Sequence, residues 1–164
     1  MIKQFDPSKN AERLLRVINT SFLTVATEFK ITKESTPTHP AYMDAEVFLS
    51  GLKGKYVEFF GYEKDGSIIG TVAVTRNQEG IYYIERLAVL PEYRHSGIGS
   101  LLMEYGLERI RKLGGTKCLI AIVNENTVLK EWYKKLGFIE KDVRKFDHLP
   151  FLVCYMEVVL AKDS

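Results

Sequence analysis

Apolar positions recur along the chain in two periods, and the switches between them mark out its elements. Met1 to Phe5 reads as a short strand. Asp6-Pro7-Ser8 then starts a helix, with Pro near its first position. Leu14, Leu15, Ile18, Phe22 and Val25 repeat at helical spacing and predict about five turns. Ile31 to His39 is polar and bounded by Pro37 and Pro40, a loop, and Ala41 to Leu52 predicts a second helix. Two strands follow, Lys55 to Glu63 and Ser67 to Arg76, joined by Asp65-Gly66, a strong hairpin signal. Gly70 inside the second of them predicts a bulge or a close backbone approach. Ile81 to Leu90 is a third strand, stopped by Pro91, and Gly97 to Leu113 is a helix capped by Gly114-Gly115. Lys117 to Val123 is an almost continuous apolar strand, as when both faces are covered. A short helix from Asn126 to Leu136 ends at Gly137, and strands at Phe138 to Arg144 and Phe151 to Leu160 close the chain.

The order is β-α-α-β-β-β-α-β-α-β-β. Antiparallel hairpins come first and a β-α-β crossover follows, so the class is α+β: a mixed, mostly antiparallel sheet flanked by helices. A chain of 164 residues fits one domain spanning 1–164. Its formal charge of +2 lacks the basic excess of a dedicated nucleic-acid binder. The apolar run from Leu149 to Ala161 is too short to span a bilayer, and no signal-peptide core precedes the first helix. Cys118 and Cys154 lie in apolar strands and read as buried free thiols, which fits a cytoplasmic setting. His39, His95 and His148 are too scattered for a metal site, and none is expected. His39, with Pro40 and Tyr42 beside it, is an acceptor-site guess.

The informative window runs from Glu85 to Ser100, a strand, a turn, and a helix whose first turn holds Gly97 and Gly99. A helix N-terminus offers unpaired N–H groups and partial positive charge, and glycines let a ligand approach that backbone, so the window suits phosphate groups. Arg94 is placed to add a cationic contact. Leu102 stands where a dinucleotide-binding fingerprint needs a small residue, and no Gly-Lys-Ser/Thr run exists.

The Arg94-x-x-Gly97-x-Gly99 pattern resembles the acetyl-CoA signature of the GNAT superfamily of N-acetyltransferases. A second match lies downstream: Asn126, Tyr133 seven residues on, then Gly137-Phe138. The resemblance spans roughly Lys55 to Leu160 and implies a sheet whose two central parallel strands splay apart around acetyl-CoA. It implies that Leu87, Ala88 and Val89 line the pantetheine arm, with Leu87 and Val89 pairing to its amides. The pyrophosphate would rest on Arg94, His95, Ser96, Gly97, Ile98, Gly99 and Ser100, and Asn126 would contact the arm while capping its helix. Tyr133 is the implied general acid for the departing thiolate. Glu85 is the implied general base, balanced against a plain ion pair with a neighbour; Glu58 is a weaker candidate. A base is needed because only about one lysine-type amine in 2,000 is neutral at pH 7, whereas an α-amine near pKa 7.7 needs less help.

The implied reaction is direct transfer of an acetyl group to a primary amine in a ternary complex, Cys118 serving only for packing. The acceptor, small molecule or peptide, is not legible, and another acyl donor such as succinyl-CoA stays open. The alternatives are a non-catalytic CoA-binding module on the same fold and an unrelated nucleotide-binding domain. Neither a nucleic acid nor a membrane is expected as a partner. The apolar run at the last strand permits a homodimer.

Overall fold

The computed structural model describes residues 1–161. Seven strands form one sheet in the order β1-β2-β3-β4-β5-β7-β6. They are β1 (Ile2–Phe5), β2 (Tyr56–Lys64), β3 (Ser67–Arg76), β4 (Tyr82–Val89), β5 (Lys117–Val123), β6 (Ile139–Lys145) and β7 (Leu152–Val159). The helices are α1 (Pro7–Glu28), α2 (Ala45–Ser50), α3 (Ile98–Lys112) and α4 (Thr127–Lys135). Every neighbouring pair is antiparallel except β4 with β5. The element order and the mixed-sheet class agree with the sequence expectation. Among the described residues no helix is long and apolar enough to cross a membrane.

Local chemistry explains the boundaries. Asp6 caps α1 by accepting from the Ser8 N–H at 2.9 Å, and Pro7 opens the first turn. The second helix is shorter than its apolar pattern implied: Asp44 accepts from the Val47 N–H at 2.9 Å, so the helix starts only after it. Met43 belongs to the preceding turn and is buried there. Asp65 and Gly66 both take positive φ, as the tight turn between β2 and β3 requires. Gly70 meets both halves of its expectation. The β2–β3 register shifts beside it, and a Cβ there would lie 2.8 Å from Leu102 and 3.2 Å from the Ala88 carbonyl.

The two faces of the sheet are packed differently. α3 covers one face, where Phe60 packs at a tilt against Tyr105 and Glu58 meets Arg109. α4 lies beside α3, with Trp132 near Gly99. The other face carries α2, whose Phe48 packs edge-on against Phe59, and α1, whose Leu14, Val17 and Ile18 are fully buried.

Glu58 is not placed as a base. It is buried on β2, and its carboxylate accepts from Arg109 Nε at 2.7 Å and Nη2 at 3.1 Å, a bidentate pair between sheet and helix. Breaking a buried pair strands the remaining charge. Glu58→Ala is therefore expected to lower unfolding free energy by about 2–3 kcal/mol, less than for a fully buried pair because Arg109 keeps some solvent. Urea denaturation checks this, and a loss within about 0.5 kcal/mol would show the pair to be energetically idle.

Candidate active site

The site begins where β4 and β5 part. The two parallel strands share one register pair, Tyr83 with Leu119, and the ladder goes no further. β4 also carries a bulge: Thr71 pairs with Ala88 but Ala73 pairs with Glu85, so one extra residue sits on β4 between them. Arg86 absorbs it with φ +52°, and the Thr71 hydroxyl donates to the Arg86 carbonyl at 2.8 Å. From the bulge onward, the β5-facing side of Leu87 and Val89 is left without a strand partner. Such backbone groups are costly unless something satisfies them.

At the end of β4 the chain makes a 3₁₀ turn, Pro91–Tyr93, and enters α3 through Gly97. Gly97 has φ +85° and no side chain caps the helix. The N–H groups of Ile98, Gly99 and Ser100 therefore have no acceptor among the described residues, and the segment from Arg94 to Gly97 before them is exposed. Gly99 is not forced by packing, since a Cβ there would make ordinary contacts of 3.8 Å to Val89 and 3.9 Å to Trp132. The mouth is a concentrated set of donors at the positive end of a 15-residue helix.

Arg94 departs from the expected role of a free cation. Its guanidinium donates to the carbonyls of Val89 at 3.3 Å and Ser21 at 2.9 Å, tying the turn to β4 and α1. Ser96 is held by a hydrogen bond from its hydroxyl to the Tyr93 carbonyl. His95 is exposed with φ +64°.

On the α4 side lie Asn126 and Tyr133. The Asn126 side-chain oxygen accepts from the Leu129 N–H at 3.2 Å, the cap expected of it, while its amide hydrogens have no partner among the described residues. Tyr133 is buried between Trp132 and Phe138, both edge-on to it. Its hydroxyl makes no hydrogen bond among the described residues, and burial, with the nearby Cys118, pushes its pKa up. It is a phenol that stays protonated, able to give a proton and not to take one. Burial pushes the Cys118 thiol up to about 12, so it is not a thiolate near neutrality. That matches its reading as packing. Cys154 is also free and buried.

On the α1–α2 face, over β2, β3 and the Glu85–Arg86 stretch of β4, lies a cleft of about 240 Å³. Glu85 and Arg86 of β4 form one wall, Lys55 and Thr75 stand near them, and Met43, Phe48 and Leu52 supply an apolar side. Glu85 pairs loosely with Lys55 at 3.7 Å, the neighbour contact weighed against its role as a base. His39 is buried next to this cleft. Its Nδ1 accepts from the Ala41 N–H at 3.1 Å, and its ring meets Phe22 and Tyr42 edge-on or tilted. Burial, with the charge of Arg86 behind it, lowers its pKa from 6.5 to about 4. Lys55, Thr75 and Arg86 were not legible as site residues, because a bulge with a positive φ at arginine leaves no trace in the sequence. Among the described residues, no group of three His, Cys, Asp or Glu is arranged to hold a metal ion.

The chain thus combines a seven-stranded mixed sheet with parted central strands, a donor-rich helix mouth at one end of the gap and a buried phenol beside it. The family description "Acetyltransferase (GNAT) family" matches residues 24–138, more than two thirds of the chain. The chain belongs to that family. Two relatives match in sequence. An uncharacterized N-acetyltransferase of Methanocaldococcus jannaschii is 33% identical over 93 residues, 53% of this chain and 41% of the relative. An N-alpha-acetyltransferase of Sulfurisphaera tokodaii is 26% identical over 147 residues, 81% of this chain and 84% of the relative. The chain thus spans less than half of the first relative and most of the second. Among solved structures, the ribosomal-protein-S18-alanine N-acetyltransferase of Escherichia coli superposes with TM-score 0.74 at 14% identity, covering 100% of this chain and 96% of that one. The PaiA N-acetyltransferase of Thermoplasma acidophilum, solved with coenzyme A, gives 0.68 at 21% identity, covering 97% and 98%.

Two measurements follow from this geometry. The folded pKa of His39 lies below its unfolded value, so the unfolded chain takes the proton first. Stability from this group is complete above about pH 6.5 and is lost as pH falls toward 4, by about 3 kcal/mol in all. His39→Asn keeps an acceptor for the Ala41 N–H but cannot titrate, so its unfolding free energy is expected to fall less steeply across that window. An identical slope in both proteins would remove His39 as the cause. Separately, Ser100→Glu puts a carboxylate in the first turn of α3. It is expected to hold or raise the melting temperature, since an acidic group suits that helix end. It should also weaken binding of a pyrophosphate ligand at least tenfold; unchanged affinity would move the anion site elsewhere.

Proposed function

We propose that this chain is an acetyl-CoA-dependent N-acetyltransferase that passes the acetyl group directly to a primary amine in a ternary complex. The reading is carried by one observation: β4 loses β5 after a single pair, and the gap runs toward the undercapped end of α3. Pantetheine amides would act as the missing strand along Leu87 and Val89, beside the buried Ala88. The N–H groups between Arg94 and Ser100 would hold the pyrophosphate, with Arg94 contributing its backbone. The free amide hydrogens of Asn126 would reach the pantetheine arm.

In the transfer, Glu85, directly or through water, takes a proton from the amine. The amine nitrogen bonds to the acetyl carbon as the carbon–sulfur bond breaks, and Tyr133 gives its proton to the departing sulfur. Its raised pKa keeps it protonated until that charge develops. The cleft beside Glu85 presents the acceptor from the α1–α2 face while the donor lies on the α3–α4 side. One relative is named an N-alpha-acetyltransferase, and the low pKa of an α-amine makes it easier to activate than a lysine amine. The buried free thiols fit a cytoplasmic setting.

The test is a thermal-shift titration with acetyl-CoA beside ATP and NADH. At 100-fold over its dissociation constant a ligand adds about 2.7 kcal/mol, on the order of 5–10 °C for a domain of this size. A rise with acetyl-CoA alone is expected, and none at saturation would overturn the reading. Tyr133→Phe should then melt like the parent, because its hydroxyl makes no hydrogen bond among the described residues, while kcat falls about 100-fold or more. An unchanged kcat would take Tyr133 out of the chemistry.

A further inference from the structure

Among the described residues, Arg86 is the charged group of the cleft that has neither a hydrogen bond nor an ion pair. The described residues include eight arginines, and seven of them hold a carboxylate, a carbonyl, a hydroxyl or an amide oxygen. Arg13 reaches Glu63, Arg16 the Ile68 carbonyl, Arg76 the Tyr82 hydroxyl, and Arg94 the Ser21 carbonyl. Arg109 holds Glu58, Arg111 Glu108 and Arg144 Asp142. No hydrogen bond or ion pair among the described residues engages the Arg86 guanidinium, although the residue is half-buried. A desolvated, unpaired guanidinium is unfavourable in a folded protein unless a ligand completes it.

Its placement is built. A non-glycine residue at φ +52° inside a strand is strained, and the Thr71 hydroxyl holds its carbonyl there. This conformation puts Arg86 beside Glu85 in the cleft wall. Glu85 attracts it, but no neighbouring group among the described residues makes a hydrogen bond or ion pair with it. Glu85 faces Lys55 at 3.7 Å, and His39 is neutral, with Nδ1 occupied by the Ala41 N–H. The other wall is apolar, formed by Met43, Phe48, Leu52 and Phe59. At about 240 Å³ the space is smaller than the roughly 300–1,000 Å³ of drug-sized sites.

We infer that Arg86 anchors an anionic group of the acceptor, and that the acceptor is a small primary amine bearing a carboxylate and an apolar remainder, an amphipathic amino acid in chemical class. The inference rests on the reading of this cleft as the acceptor site. The planar guanidinium takes the carboxylate in a two-point contact, the apolar wall takes the side chain, and the amine is left toward Glu85.

The probes are N-acetyl-L-leucine, the product such an acceptor would give, and N-acetyl-L-leucinamide, its neutral counterpart of the same shape. Each is titrated calorimetrically into the full chain, alone and with saturating CoA. The acid is expected to bind about 10- to 100-fold more tightly than the amide, the range for a hydrogen-bonded charge. Arg86→Met should bring the two within threefold while keeping the acetyl-CoA thermal shift, and Arg86→Lys should keep part of the preference. Equal affinity for acid and amide, binding of neither, or a preference that survives Arg86→Met would overturn the anchor. Should Arg86→Met not fold, the acid–amide comparison in the parent decides alone. An acetyl-CoA shift without carboxylate preference sinks the anchor and spares the transferase reading. Carboxylate preference without an acetyl-CoA shift does the reverse.

Discussion

The structure turns on one incomplete contact, the parallel pairing of β4 with β5. A parallel pair in the middle of a sheet normally extends its ladder along both strands, because unpaired backbone in an interior is costly. Here it stops after Tyr83 and Leu119. The missing bonds part β4 from β5, and the features of the site are arranged around that gap. The Arg86 bulge turns β4 at the opening, Gly97 starts α3 beyond it, and Tyr133 stands over one side.

Such a gap is tolerated because the surrounding sheet is continuous. β1 to β4 form an unbroken antiparallel set, and β5 continues into β7 and β6. α3 bridges toward the first set with Gly106 laid against Ile84 and Val72, and with the Arg109–Glu58 pair. Arg94 fastens the turn before α3 to α1 through the Ser21 carbonyl. The opening is thus framed on both sides by paired strands.

Charge is distributed by the same geometry. Glu58 and Glu85 are both carboxylates on strands of one sheet, yet the register sends Glu58 to the α3 face, where Arg109 grips it with two bonds, and Glu85 to the cleft, where Lys55 touches it at 3.7 Å. His39 and Arg86 are near neighbours with opposite fates: the imidazole is kept neutral by burial and its turn bond, and the guanidinium has no hydrogen bond or ion pair among the described residues.

The sequence by itself determined the element order, the mixed class of the sheet, the glycine-opened helix after β4, and the Asn126–Tyr133–Gly137 series. Those features are local: periodicity, caps and turn residues act over a few positions, and they are written where they act. It overextended α2, because the apolar stripe around Met43 hides the cap made by Asp44. Tertiary structure alone decided that Arg94 binds carbonyls, that Glu58 is paired with Arg109, and that Arg86 has no hydrogen-bond partner among the described residues. Each outcome depends on a partner 15 or more residues away, or on a bulge that shifts β4 against β3, and a one-residue shift in a strand exchanges its two faces. No pattern along the chain carries that exchange, because it is set by which strands meet and where their pairing stops.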